Sequence, residues 1–97
     1  MNDKLYHIGR DRENEIYIYE ESISVRHAQI YFNENQEIAI VDLGSTNGTI
    51  INGLKIKRPT KLKKGDEIIL GNLTLKFNDI LNVIRFIEKN NLSAVDF

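Results

Sequence analysis

The sequence predicts an all-β sandwich or small barrel followed by one short α-helix. Up to residue 77 the apolar runs are short and bounded by turn residues, the pattern of many closely spaced strands. Two tight-turn dipeptides, Asn52-Gly53 and Gly71-Asn72, lie between such runs. From residue 79 the spacing changes to that of a helix, with Ile80, Val83, Ile84 and Ile87 on one stripe.

Tyr6-His7-Ile8 and Ile16-Tyr17-Ile18 read as two strands separated by a charged loop. Residues 28–32 and 37–43 read as two more, joined by the hairpin loop Asn33-Glu34-Asn35-Gln36. In the second of these, Ile38, Ile40 and Asp42 share one face while Ala39, Val41 and Leu43 share the other, which predicts a strand buried from both sides. Gly44-Ser45-Thr46-Asn47-Gly48 is a loop, and Thr49-Ile50-Ile51 is a brief strand ending at the Asn52-Gly53 turn. Lys64-Gly65-Asp66 turns into a hairpin of residues 67–70 and 73–77 across Gly71-Asn72. The helix is expected over 79–90, with Asp79 as N-cap, Leu81 and Phe86 widening its apolar surface, and Asn90-Asn91 as the stop. The organisation expected is a domain over 1–77 with 78–97 as an appendage or the start of a linker.

Ninety-seven residues allow a single domain, and 41% hydrophobic with 28% charged residues describe a globular chain. The absence of cysteine excludes a disulfide framework, a thiolate zinc site and thiol catalysis, and fits a reducing compartment. Thirteen basic and fourteen acidic residues leave a formal charge of −1, so no global field draws the chain to nucleic acid or an anionic membrane. No apolar run reaches the roughly 18 residues of a membrane helix. The start, Met1-Asn2-Asp3-Lys4-Leu5, has no signal-like apolar stretch. A cytoplasmic location is expected.

Ser24, His27 and Asp42 are the residue types of a hydrolase triad, but Ser24 is not on a Gly-x-Ser-x-Gly elbow and inventory does not make a triad. The two histidines, His7 and His27, fall on separate strands without a carboxylate cluster, so neither a metal nor another cofactor is expected. His27 reads as a histidine held by backbone hydrogen bonds. Lys55, Lys57, Arg58, Lys61, Lys63 and Lys64 form a basic run that lacks acids and stacking aromatics. A solvated loop or edge strand accounts for it, and nucleic-acid binding is not expected.

A phosphorylated ligand is the reading with most residues behind it. Arg10 follows the first strand at a loop mouth, Ser24 and Arg26 precede the strand that starts near His27, and Thr46 and Asn47 lie in a glycine-flanked loop. Each loop adjoins a strand, so a sandwich brings all three to one end. Arg10 then offers a bidentate fork to phosphate oxygens and Ser24 and Thr46 offer hydroxyl donors. Asn47 has the donor and acceptor that grip a peptide backbone. Any one of these residues is equally a surface charge or a turn former; the set is what points to phosphate.

That set is ordered as Ile8-Gly9-Arg10, Ser24-Val25-Arg26-His27-Ala28, Asp42-Leu43-Gly44-Ser45-Thr46-Asn47-Gly48-Thr49, Asn52-Gly53, Lys64-Gly65-Asp66-Glu67-Ile68 and Leu70-Gly71. Over residues 5–77 it closely resembles the forkhead-associated (FHA) domain signature. The resemblance implies an FHA-like β-sandwich of the SMAD/FHA type whose apical loops bind phosphothreonine in a partner protein, without catalysis. By position Arg10 and Ser24 resemble phosphate ligands, Thr46 a further contact and Asn47 the residue that fixes the peptide main chain. Gly9, His27, Gly48, Asn52 and Gly53 resemble architectural positions, with His27 a brace between loops.

The chain departs from the family pattern in two places. Val25 stands where many members carry a polar or basic phosphate contact and offers only its backbone N–H, which leaves Arg26 to compensate. Met1 to Leu5 are short for the extra N-terminal strand, so a sheet edge is expected to be covered by helix 79–90 or by a second copy of the chain. Glu20, Glu21 and Ser22, the loop before Ser24, stand where the resemblance places selectivity for downstream peptide residues, and the two acids are expected to disfavour acidic ligands and mildly favour basic ones. The alternative use of the same fold is a phosphate-independent module that self-associates through the helix or an exposed sheet edge.

Overall fold

Turn chemistry fixes the hairpins on which the architecture is built. In the computed structural model, which describes residues 4–97, strands β3 (Ala28–Phe32) and β4 (Ile38–Asp42) pair antiparallel with Ile30 opposite Ile40. Their loop closes on Asn33, whose side-chain oxygen accepts from the amides of Asn35 and Glu37 at 2.9 Å each. Asn52 and Gly53, with φ of 50° and 85°, supply the two left-handed residues that join β5 (Thr49–Ile51) to β6 (Leu54–Lys55). Gly71-Asn72 joins β8 (Glu67–Leu70) to β9 (Leu73–Lys76).

The remaining strands are β1 (Lys4–Gly9), β2 (Ile16–Tyr17), β7 (Thr60–Leu62) and β10 (Val95–Asp96). They complete a six-stranded sheet, β10-β2-β1-β3-β4-β7, facing a four-stranded sheet, β6-β5-β8-β9. The all-β sandwich with one short helix is thus the observed fold class. The inward positions Ile8, Ala28, Ile30, Ile38 and Ile40 of one sheet meet Ile51, Ile68, Leu70 and Leu75 of the other in one buried cluster.

β4 is buried on one face rather than two. Ile38 and Ile40 are buried, whereas Ala39 and Val41 are half-buried and Leu43 is exposed, because among the described residues no further layer covers the outer face of this sheet. The helix α1 spans Phe77–Lys89, beginning two residues before the expected start. β9 runs into it without a loop, so Lys76 is the N-cap, and Asp79 sits in the first turn, accepting the Lys76 amide at 2.9 Å. An acid at that position reaches back to the cap amide, which is the N3 half of a capping box. Asn90 and left-handed Asn91 close the helix.

Ile80, Ile84 and Ile87 are buried in the same cluster as the strands, so the apolar stripe packs on the chain's own sheets. Phe86 faces solvent instead of widening that stripe. Beyond the helix the chain returns to the six-stranded sheet: Val95 N–H donates to Glu15 O and Phe97 N–H to Tyr17 O, both at 2.8 Å. β10 therefore covers the free edge of β2, the task expected of the helix or a second copy. Met1, Asn2 and Asp3, part of the short N-terminal segment, lie outside the described residues.

Candidate functional site

Two loops cross within van der Waals distance at the end of β1, and a glycine permits it. A Cβ on Gly9 would lie 2.1 Å from the Val25 carbonyl oxygen and 2.6 Å from Asn14 Nδ2, so no side chain fits. The crossing is tied by Arg10 N–H to Ser24 O (3.0 Å) and His27 N–H to Ile8 O (2.9 Å). Asn14, fully buried, donates from Nδ2 to Asp11 O at 2.7 Å and Val25 O at 2.8 Å.

His27, also fully buried, joins this pair of loops to a third. Its Nδ1 accepts the Ser24 amide proton at 3.1 Å, so Nε2 bears the ring proton and donates to Gly48 O at 2.9 Å. Gly48 takes a φ of 85°, which turns its carbonyl toward the ring. The third loop is folded around Asp42, whose carboxylate accepts from the amides of Gly44 and Ser45 (2.9 Å each) and the hydroxyls of Ser45 (2.6 Å) and Thr49 (2.7 Å). Partial burial pushes the Asp42 carboxyl up, but these donors outweigh it and hold it below its ordinary range.

Segment 22–24 is where the predicted residues converge. Arg10 Nε donates to Ile23 O at 2.8 Å, Thr46 N–H to Ser24 Oγ at 2.9 Å, and Asn47 Nδ2 to Ser22 O at 2.8 Å. Arg10, Thr46 and Asn47 are exposed, and among the described residues no carboxylate lies within ion-pair distance of Arg10. Val25, 45% exposed, and Arg26, exposed, lie at the rim of the same loop. Asn52 and Gly53 are at the far end of β5, where Asn52 Nδ2 donates to Asp66 Oδ1 at 2.9 Å and its Oδ1 accepts the Glu67 amide.

The triad inventory does not form a triad. Both ring nitrogens of His27 are engaged by backbone groups, and the hydroxyl oxygen of Ser24 meets the Thr46 amide rather than the imidazole. Asp42 Oδ1 stands 4.0 Å from Nε2, with its short bonds made to its own loop. The basic run is divided: Lys61 pairs with Glu37 at 2.8 Å and Lys63 with Asp66 at 3.4 Å, and Lys61 lies on edge strand β7.

Three residues hold the site in a role that the sequence did not show: Asn14 went unmarked, and Ser22 and Ser45 read only as loop residues. Asn14 pins the crossing loops, Ser22 accepts the Asn72 amide at Oγ (2.8 Å) as well as Asn47 at its carbonyl, and Ser45 Oγ accepts the Gly48 amide at 2.9 Å. Each is a small polar residue in a loop, and only its partner, up to 50 positions away, distinguishes it from a solvated one.

A profile of the FHA domain matches residues 6–71. The human angiogenic factor with G patch and FHA domains 1 is 44% identical over 80 residues, covering 73% of this chain and 11% of that protein. The chain thus spans a small part of the length of that relative. The crystal structure of the FHA domain of CT664 from Chlamydia trachomatis superposes with a TM-score of 0.70 at 35% identity, covering 73% of this chain and 72% of that one. The N-terminal FHA domain of Saccharomyces cerevisiae Rad53p, solved with a phosphothreonine peptide, superposes with a TM-score of 0.62 at 25% identity over 81% of this chain and 73% of that one.

Proposed function

The chain belongs to the FHA domain family, and on that premise we propose that it is a non-catalytic module that binds a threonine-phosphorylated partner through the loops around segment 22–24. The convergence of Arg10, Thr46 and Asn47 on three consecutive residues carries this reading. With Nε held by Ile23 O, the Arg10 guanidinium is oriented and its two terminal nitrogens remain for phosphate oxygens. The Ser24 oxygen already accepts from Thr46, so its own proton is left to donate. One Asn47 N–H is bound to Ser22 O, and the other, with Oδ1, is left for a peptide main chain running past. Val25 contributes its amide and Arg26 a second positive charge at the rim.

Two or three charge-assisted bonds at about 1.5–3 kcal/mol each separate phosphorylated from bare peptide by orders of magnitude. The phosphate is then the switch and the partner is the product of a serine/threonine kinase. A cysteine-free chain suits a cytoplasmic setting. Neutralisation of Lys61 and Lys63 within the chain favours the edge-strand reading of the basic run over a nucleic-acid surface. Self-association retains only the strand edges, since the helix stripe is buried.

Calorimetric titration with a degenerate phosphothreonine peptide pool tests the reading, with unphosphorylated and phosphoserine pools in parallel. Binding of the phosphothreonine pool alone, abolished by Arg10→Ala, is expected. Equal binding of all three pools, or of none by the folded chain, overturns it.

A further inference from the structure

Beside the phosphate ligands the chain holds an aromatic ring and a carboxylate in the open. Arg10, Tyr19 and Glu21 line an open cleft of about 440 Å³. Ile18, buried, is fixed by its amide on Gly9 O at 3.0 Å, and the next residue, Tyr19, is turned outward with 84% of its surface exposed. Its ring stacks on Tyr17 with centroids 6.4 Å apart, and the Arg12 guanidinium lies over Tyr17 at 4.6 Å. Arg12, Tyr17 and Tyr19 thus form a ladder whose first rung is already a guanidinium on an aromatic face. Its last rung stands at the mouth of the phosphate cleft.

The two adjacent acids of this loop are not equivalent. Glu20 is folded back, accepting the Ser22 amide at 3.0 Å and the Ser22 hydroxyl at 2.8 Å, bonds that hold its carboxyl below the usual range. Glu21 is exposed and, among the described residues, makes no hydrogen bond or ion pair. A lone carboxylate next to Arg10 weakens binding of a bare phosphate dianion. The same carboxylate is favourable when the ligand brings a positive charge of its own.

We propose that Tyr19 and Glu21 form a subsite for a cationic side chain, an arginine or lysine, flanking the phosphothreonine of the ligand. The inference rests on the phosphothreonine reading above and adds the chemical class of the ligand. A guanidinium stacks on the free Tyr19 face while Glu21 accepts from it, and Arg10 takes the phosphate on the other wall. Arginine is favoured over lysine because its planar head stacks and bonds at once.

The test is calorimetry on the full chain with alanine-based phosphothreonine peptides in which one arginine is walked through the three positions on either side. Wild type, Tyr19→Ala and Glu21→Gln are compared, with the all-alanine phosphopeptide as the measure of an intact phosphate site. At one register arginine is expected to tighten binding about three- to tenfold, falling below about twofold in either variant. The all-alanine peptide should bind Tyr19→Ala within about twofold of wild type and Glu21→Gln at least as tightly as wild type. Phosphate-dependent binding that is indifferent to arginine at every register overturns the subsite alone, as does a preference that survives both substitutions. Loss of phosphate dependence in every peptide overturns the parent reading and the subsite with it.

Discussion

The Ser24 hydroxyl oxygen accepts the Thr46 amide proton at 2.9 Å across 22 residues of sequence, so one side chain fastens two loops while its own proton stays free of that bond. Ser24→Ala removes both the bond and the proton. We expect phosphothreonine-peptide affinity to fall about tenfold or more and the Thr46 amide to exchange faster with solvent. Unchanged exchange at Thr46 in the variant would show that the bond does not hold the loop.

His27→Ala leaves a cavity in the middle of the site and strips partners from the Ser24 amide and the Gly48 carbonyl. A loss of about 2–4 kcal/mol is expected in denaturant unfolding. Amide signals of residues 44–48 should shift more than those of the β8–β9 hairpin. A stability loss under about 1 kcal/mol would count against a bracing role.

Asp42 gives the acid limb of the stability curve a specific origin. Its folded-state carboxyl lies below its ordinary 3.8, because donors from Ser45 and Thr49 outweigh burial. The stability it contributes is therefore complete above that ordinary value and is lost as the pH falls through the lower folded-state value. Asp66, lowered first by its bond from Asn52 against the opposing effect of burial and aided by the Lys63 amide, acts in the same direction. Asp42→Asn should lower stability at neutral pH and flatten its decline below about pH 4. Parallel acid-unfolding curves for wild type and variant would refute the assignment.

Gly9→Ala forces a methyl against the Val25 carbonyl, which is backbone and cannot swing aside. Destabilisation of about 1–3 kcal/mol or more is expected, accompanied by loss of phosphopeptide binding as the loops separate. Gly44→Ala is the comparison, since nothing lies within 4 Å of a Cβ there and only its φ of 77° opposes the change. It should retain peptide binding at reduced stability.

Removing residues 95–97 uncovers the β2 edge, leaving the carbonyls of Glu15 and Tyr17 without their 2.8 Å donors. We expect stability to fall by about 1–3 kcal/mol, from the backbone bonds of that edge and the partial burial of Val95. Concentration-dependent association in analytical ultracentrifugation should appear, as it does at open strand edges. A truncated chain that stays monomeric with unchanged stability would show that β10 is dispensable.

The tight turns set by neighbours in sequence were legible in it. The Asn33 loop, the Asn52-Gly53 turn and the Gly71-Asn72 hairpin declare themselves because their backbone demands are met within a few residues. The order Gly9-Arg10, Ser24, Thr46-Asn47 likewise pointed to one ligand chemistry. Tertiary structure decided what depends on distant partners. Two-residue strands such as β6 and β10 have no periodicity to read, and β10 exists only because Glu15 and Tyr17 offer it carbonyls. Asn14 and Ser22 become site residues through partners they meet only after folding. The division of Glu20 from Glu21 is local, a bond from Ser22 two residues on, yet it turns on loop geometry that residue type does not state. Hydrogen bonding between loops is geometric, and the sequence states the groups available without stating the distances between them.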